Sequence, residues 1–233
     1  METENKDSCS LPYYPIFLSM AGKVSLVVGG GAVGERKIKG LLEHGASVRL
    51  VARDLTPWLA AQKEKSHLTF IGEVYEDAQL DHIDLVFAVT SDIRLNRLIA
   101  DDARKRRLWC NMATEPELGG FILPAVFQHG PLSVAVSTSG LSPAFARKIR
   151  DKIKQSFGPE WTFTLMMLGK LRTMIQSKNL PSSENQQLFN RIADLPLIDW
   201  IGGEQWDVLL KGIHEICHPW LTMEELEQIM ARA

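Results

Sequence analysis

The sequence predicts an α/β protein, with a doubly wound parallel sheet in its first half and helices in its second, joined by a short stretch of hairpin character. Three observations predict it. Five apolar, strand-like runs at residues 24–28, 47–52, 67–72, 84–90 and 108–113 alternate with helical patterns, and strands covered on both faces read as such near-continuous apolar runs. A glycine-rich junction follows the first run. Beyond Pro116 the alternation stops, and from Trp161 onwards Leu, Met and Trp recur at helical spacing.

The first strand, residues 24–28, leads directly into Gly29-Gly30-Gly31-Ala32-Val33-Gly34, a complete GxGxxG. In that pattern Gly29 allows a tight turn, Gly31 lets a pyrophosphate approach the backbone, and Gly34 lets the next helix pack closely on the strand. The helix presents unpaired N–H groups and the positive end of its dipole to the phosphates. It carries Ile38, Leu41 and Leu42 on one face and stops near Gly45, which suits a C-terminal cap. A second strand, 47–52, then closes a βαβ unit of about 30 residues. Strand, glycines, helix and strand in this order predict a Rossmann-type dinucleotide site. A carboxylate at the end of the second strand accepts hydrogen bonds from the adenosine ribose and favours NAD, whereas an arginine suits the 2′-phosphate of NADP. Arg53 and Asp54 both stand there, and Asp54 lies about twenty residues past Gly34, where the pattern wants its acid, so NAD is expected. Asp54 with Pro57 also suits a cap for the helix DLTPWLAAQ, and the two roles can coexist.

A helix from Ile93 to about Lys105, with Leu95, Leu98 and Ile99 on one face, precedes the fifth strand. Ligands of such sheets bind at the carboxyl ends of the strands, so Thr90, Ser91 and the stretch 111–115, including Asn111, Thr114 and Glu115, are expected to join the glycine loop around one cleft. Past Pro116, residues 121–127 and 132–137 are strand-like runs separated by the turn signal His129-Gly130-Pro131. The loop Thr138-Ser139-Gly140-Leu141-Ser142-Pro143 follows, and Ser142 as N-cap with Pro143 at the first helical position starts the helix AFARKIRDKIKQSF. Its Arg147, Lys148, Arg150, Lys152 and Lys154 form either a solvated face or a site for a polyanionic substrate. Loops at 179–183 and Gly202-Gly203 interrupt the helices beyond, and no repeat is visible.

With 233 residues, 45% of them hydrophobic and 23% charged, the chain has the composition of an ordinary globular protein. A formal net charge of −2 gives no global drive towards nucleic acid or an anionic membrane. No apolar run approaches the roughly 18 residues of a membrane-spanning helix, and METENKDSCS does not read as a signal peptide, so a cytoplasmic location is expected. The three cysteines, Cys9, Cys110 and Cys217, form no CxxC pair, in keeping with a reduced compartment. Cys110, inside LWCNMA, reads as buried filler. His214, Cys217 and His218 share a helix, but three isolated ligands are more often surface and core residues, and no metal is assigned.

The order PIFLSMAGKVSLVVGGGAVGERK, VTSD, CNMATEPELGGFILPA, PLSVAVSTSGLSPAFARKIRDKI, from Pro15 to Lys154, is similar to the precorrin-2 dehydrogenase family, the siroheme-synthase type N-terminal module. The resemblance implies NAD as hydride acceptor, precorrin-2 as substrate and sirohydrochlorin as product, with ferrous iron insertion in many members. It also implies a homodimer built from a Rossmann domain (residues 1–116), a central dimerisation segment that exchanges strands (117–145) and a helical C-terminal domain (146–233). Ala32 and Val33 match positions whose backbone lies against the cofactor, with Gly29, Gly31, Gly34 and Thr90 beside it and Arg53 and Asp54 on its ribose side. Thr138 falls in the loop facing the substrate, and Asn111 and Arg147 are expected there too. Members with both chemistries carry an aspartate three residues after the strand-end asparagine, where this chain has Thr114. A hydroxyl cannot serve as a carboxylate base at neutral pH, which leaves Glu115 as the nearest acid. Dehydrogenation is therefore expected and iron insertion doubted. The methyltransferase domain of trifunctional relatives is not expected in 233 residues. A non-enzymatic NAD sensor and a dehydrogenase of another small molecule are the competing readings.

Overall fold

The computed structural model describes residues 13–62 and 67–231; the polar start METENKDSCS, with Cys9, lies outside the described residues. The chain divides into two compact units, one running through Leu123 and taking in Ser139–Ser142, the other formed by Pro124–Thr138 and the chain from Pro143 onwards.

In the first unit the elements are β1 (Val24–Val28), α1 (Ala32–Glu43), β2 (Ser47–Val51), α2 (Pro57–Gln62), β3 (Leu68–Gly72), β4 (Leu85–Ala88), α3 (Ile93–Lys105) and β5 (Trp109–Met112). The strands form a parallel sheet in the order β3-β2-β1-β4-β5. The chain builds outward from β1 in one direction, then returns to build in the other. The reversal lies between β1 and β4, whose ends are in register at Val28 and Ala88, and there a doubly wound sheet opens a ligand crevice. Alternating side chains fill both faces. Leu26, Val28, Val86 and Ala88 pack with Ile99, Ala100 and Ala103 of α3 on one side. Val27, Leu85 and Phe87 pack with Ile38 and Leu41 of α1 on the other. Burial of each large apolar side chain contributes about 1.5–3 kcal/mol, which sustains short strands of modest intrinsic propensity.

Two expectations for this unit need correction. The buried face of α3 is Asn96, Ile99, Ala100 and Ala103, while Leu98 is 50% exposed. Leu98 stands two residues, about 200°, round the helix from Asn96, so it cannot share that face. The helix α2 is not capped by Asp54. Thr56 does it, its Oγ1 accepting from the Leu59 N–H at 3.3 Å, with Pro57 at the first helical position.

The second unit holds an antiparallel hairpin, β6 (Ala125–His129) and β7 (Leu132–Val136), turned at Gly130-Pro131 with Gly130 at φ 55°. The first strand starts later than residue 121, because Pro124 has no N–H to donate to a ladder. Helix α4 (Pro143–Lys154) packs on the hairpin. It ends short of Phe157 because Gly158, extended before Pro159, caps the next helix. Helices α5 (Pro159–Ser177), α6 (Ser182–Ala193), α7 (Leu197–Gly202), α8 (Trp206–Cys217) and α9 (Met223–Ala231) then enclose a core of Met167, Leu171, Ile175, Leu209, Ile213 and their neighbours. Cys217 is fully buried in that core, and burial pushes its thiol up to about 11. No described helix is long and apolar enough to cross a membrane.

Candidate active site

The glycine turn shows why small residues are needed. Gly29 has φ 123°, and a Cβ there would sit 2.6 Å from the Val89 carbonyl oxygen. At Gly34 it would stand 2.0 Å from the Gly29 carbonyl oxygen, backbone against backbone. Gly31 differs. Its backbone is extended, and a Cβ would meet no atom of the described residues within 4 Å. The room at Gly31 is therefore open, as a pyrophosphate approaching the turn requires. Gly31 is also the N-cap of α1 and has no capping side chain, so the N–H groups of Ala32 and Val33 have no side-chain acceptor from the cap. These features fit a dinucleotide.

Gly30 was not singled out by the GxGxxG reading, where it is a free position. A Cβ on it would lie 2.3 Å from the Asp54 carbonyl oxygen and 2.8 Å from the Ala52 Cβ. Its carbonyl accepts from the Thr56 N–H at 3.1 Å. The exposed Arg53 and Asp54 are thus held directly beside the glycine turn, on the β2 side of the crevice.

On the β4 side, Thr90 is gripped by Asn96, a fully buried residue of α3 that sequence reasoning missed. Asn96 Oδ1 accepts from the Thr90 N–H at 3.0 Å, and its Nδ2 donates to the Thr90 carbonyl at 3.0 Å. The Thr90 hydroxyl lies 2.8 Å from Asn96 Oδ1 and accepts from the Asp92 N–H at 3.2 Å. Asp92 in turn caps α3, accepting from the N–H groups of Arg94 and Leu95. A polar residue inside the apolar stripe of α3 was the available signal.

At the end of β5, Asn111 is 5% exposed and occupied at both ends. Its Oδ1 accepts from Lys37 Nζ at 2.7 Å and its Nδ2 donates to the Phe121 carbonyl at 3.0 Å. The chain beyond β5 folds back along the strand, with the Gly120 N–H on the Cys110 carbonyl at 2.7 Å. Cys110 is buried as expected, which pushes its thiol up to about 11. Thr114 is exposed at the turn. Glu115 faces α3, where Arg97 grips both carboxylate oxygens, Nε to Oε2 at 2.7 Å and Nη2 to Oε1 at 2.5 Å. That guanidinium holds the Glu115 carboxyl below the usual carboxylate range, and a carboxylate so held is a weaker proton acceptor. Thr138 and Arg147 belong to the second unit, Thr138 half-buried after β7 and Arg147 exposed on α4.

Residues 16–125 match a family described as "Putative NAD(P)-binding", and residues 129–156 match the "Sirohaem biosynthesis protein central" family. The siroheme synthase of Baumannia cicadellinicola subsp. Homalodisca coagulata is 36% identical over 165 residues, which is 71% of this chain and 34% of that protein. Siroheme synthase 1 of Cronobacter sakazakii is 42% identical over 144 residues, 62% of this chain and 31% of its own length. The chain spans about a third of the length of these curated relatives. The solved structure of SirC, a precorrin-2 dehydrogenase, superposes with a TM-score of 0.72 at 25% identity, covering 93% of this chain and 100% of that one. With its glycine crevice in the first unit and the siroheme-type segment in the second, the chain is similar to the precorrin-2 dehydrogenase and siroheme synthase family.

Proposed function

We propose that this chain is an NAD-dependent dehydrogenase that converts precorrin-2 to sirohydrochlorin. The observation that carries the reading is a dinucleotide crevice, open at Gly31, in a chain that matches a precorrin-2 dehydrogenase over nearly its whole length. NAD supplies the hydride-accepting chemistry when bound. The backbone of Gly31, Ala32 and Val33 holds its pyrophosphate and Asp54 its ribose, while Asn96 keeps the loop at Thr90 from shifting. Thr138 and Arg147 of the second unit are assigned to the substrate, and the basic face of α4 attracts the carboxylates of a polyanionic tetrapyrrole.

Holding the two reactants in place supplies up to roughly 7–11 kcal/mol of barrier reduction, whereas one general base contributes about 10² to 10⁴ in rate. Dehydrogenation therefore tolerates Thr114. Iron insertion requires protons to leave pyrrole nitrogens, and with Thr114 a hydroxyl and Glu115 held by Arg97 it is expected to be weak. The chain works as a homodimer through the segment 117–145, with 146–233 as its helical domain. A two-stranded hairpin is marginal by itself, and Val126 on β6 is 42% exposed. A cytoplasmic setting is in keeping with the free thiols of Cys110 and Cys217.

Anaerobic mixing of the purified chain with precorrin-2 and NAD, followed by absorbance, tests the function. Reduced nicotinamide and sirohydrochlorin should appear together. Formation of neither would end the reading.

A further inference from the structure

The carboxyl edge of the sheet holds a positive charge that no described neighbour balances. Lys37 stands in the second turn of α1. Its ammonium donates to Asn111 Oδ1 at 2.7 Å and lies 5.4 Å from the centre of the Phe87 ring. Asn111 is locked by its own bond to the Phe121 carbonyl, which turns its acceptor end to Lys37. Phe87 is fixed by the edge-on ring of Phe121, with centroids 5.6 Å apart. Lys37 is half-buried, and a lysine drawn partly out of water ordinarily keeps a charged partner. Lys23, Lys39, Lys105 and Lys178 each have a carboxylate within 4 Å, but no ion pair involves Lys37 among the described residues. An amide oxygen and a ring face offset only part of the cost of desolvating an ammonium, which has three donors to satisfy.

We propose that Lys37 is an anion-binding group of the crevice, taking a carboxylate or phosphate oxygen of the bound ligand in a charge-assisted hydrogen bond. The candidate anions follow from the dehydrogenase reading above: a phosphate of the dinucleotide, or a carboxylate of the tetrapyrrole. Lys37 supplies the missing counter-charge to that oxygen and at the same time orients Asn111 beside it. Its surroundings set a characteristic pH dependence. Burial first, and then the charge of Arg36, bring its ammonium down to about 8. Glu35 and Lys39 on the same helix are paired with each other, and Phe87 and Asn111 from β4 and β5 do not ionise. The anion binds the protonated form. Affinity is therefore flat below pH 8 and falls as pH rises through the free-state value, by up to about tenfold per unit, until the liganded ammonium itself titrates.

The test is calorimetric titration of the full chain with NAD, and separately with uroporphyrin as a stable octacarboxylate tetrapyrrole, from about pH 6.5 to 9.5, an interval that spans the Lys37 titration. The unaltered chain, Lys37→Met and Lys37→Arg are compared, with thermal melting to confirm that each is folded. For the anion that contacts Lys37, the Met variant should bind about ten- to hundredfold more weakly at pH 7, and the fall above pH 8 should vanish. Lys37→Arg, charged throughout, should keep affinity at pH 7 within a few-fold and lose only the pH dependence. The arm that responds identifies the source of the anion. Unchanged affinity of both ligands for Lys37→Met would overturn the proposal. So would a fall above pH 8 that persists in Lys37→Arg, a readout that serves even if the Met variant does not fold. Failure of the unaltered chain to bind either ligand would overturn the dehydrogenase reading, and this proposal with it.

Discussion

Replacing Gly31 by valine should separate ligand binding from folding. Gly31 sits at φ −77° and ψ −176°, an extended conformation any residue adopts, and nothing among the described residues lies within 4 Å of a Cβ built on it. The folded state is thus unstrained by the new side chain. The remaining cost is a poorer N-cap, about 0.5–1 kcal/mol, or roughly 1–4 °C in Tm for a chain of this size. The side chain fills the space the pyrophosphate needs, however. Losing two charge-assisted bonds from the backbone N–H groups, at about 1.5–3 kcal/mol each, removes about 3–6 kcal/mol of binding, two to four orders of magnitude in affinity. Gly34→Val is the control with the opposite signature. Its Cβ would stand 2.0 Å from the Gly29 carbonyl oxygen, so α1 must leave the sheet and stability falls together with binding. Calorimetric titration with NAD and thermal melting of the three proteins read both quantities. If Gly31→Val bound NAD within threefold of the unaltered chain, the crevice would not be where the glycines put it.

Three further outcomes follow from the same geometry. Asn96→Ala should cost about 1–3 kcal/mol of stability, because the part-buried N–H and carbonyl of Thr90 lose their partners; an unchanged melting temperature would show that the loop closes on itself without Asn96. Thr114→Asp should raise anaerobic iron insertion into sirohydrochlorin by about tenfold or more, equivalent to roughly 1.4 kcal/mol of barrier, and efficient insertion by the unaltered chain would show that the carboxylate is dispensable. Sedimentation should give a dimer, whereas a monomer at micromolar concentration would refute pairing through the segment 117–145.

Much of the first unit was legible because its signals are local. The five strand positions, the turn at Gly29–Gly34 and the helix from Ile93 to Lys105 follow from apolar runs, glycines and caps within a few residues of one another, and those interactions are written in consecutive positions. The boundaries that moved did so for equally local reasons that compete with periodicity, such as Pro124 at the start of β6 and the Gly158-Pro159 pair that ends the helix begun at Pro143.

What only the tertiary structure decided are the pairings across the sheet and the state of each charge. Gly30 is a free position in the motif and becomes obligatory because Asp54 returns on top of it. Glu115 stood as the nearest acid to Thr114, yet Arg97, eighteen residues earlier, holds its carboxylate. Lys37 belonged to a helix pattern, and its unbalanced charge exists only because Asn111, 74 residues on, lies beside it. Sequence determines which groups are available and how each segment curls. Desolvation and charge pairing act between whatever the chain brings together in space, so the chemistry of a half-buried lysine or a gripped carboxylate is settled only once the strands have taken their order.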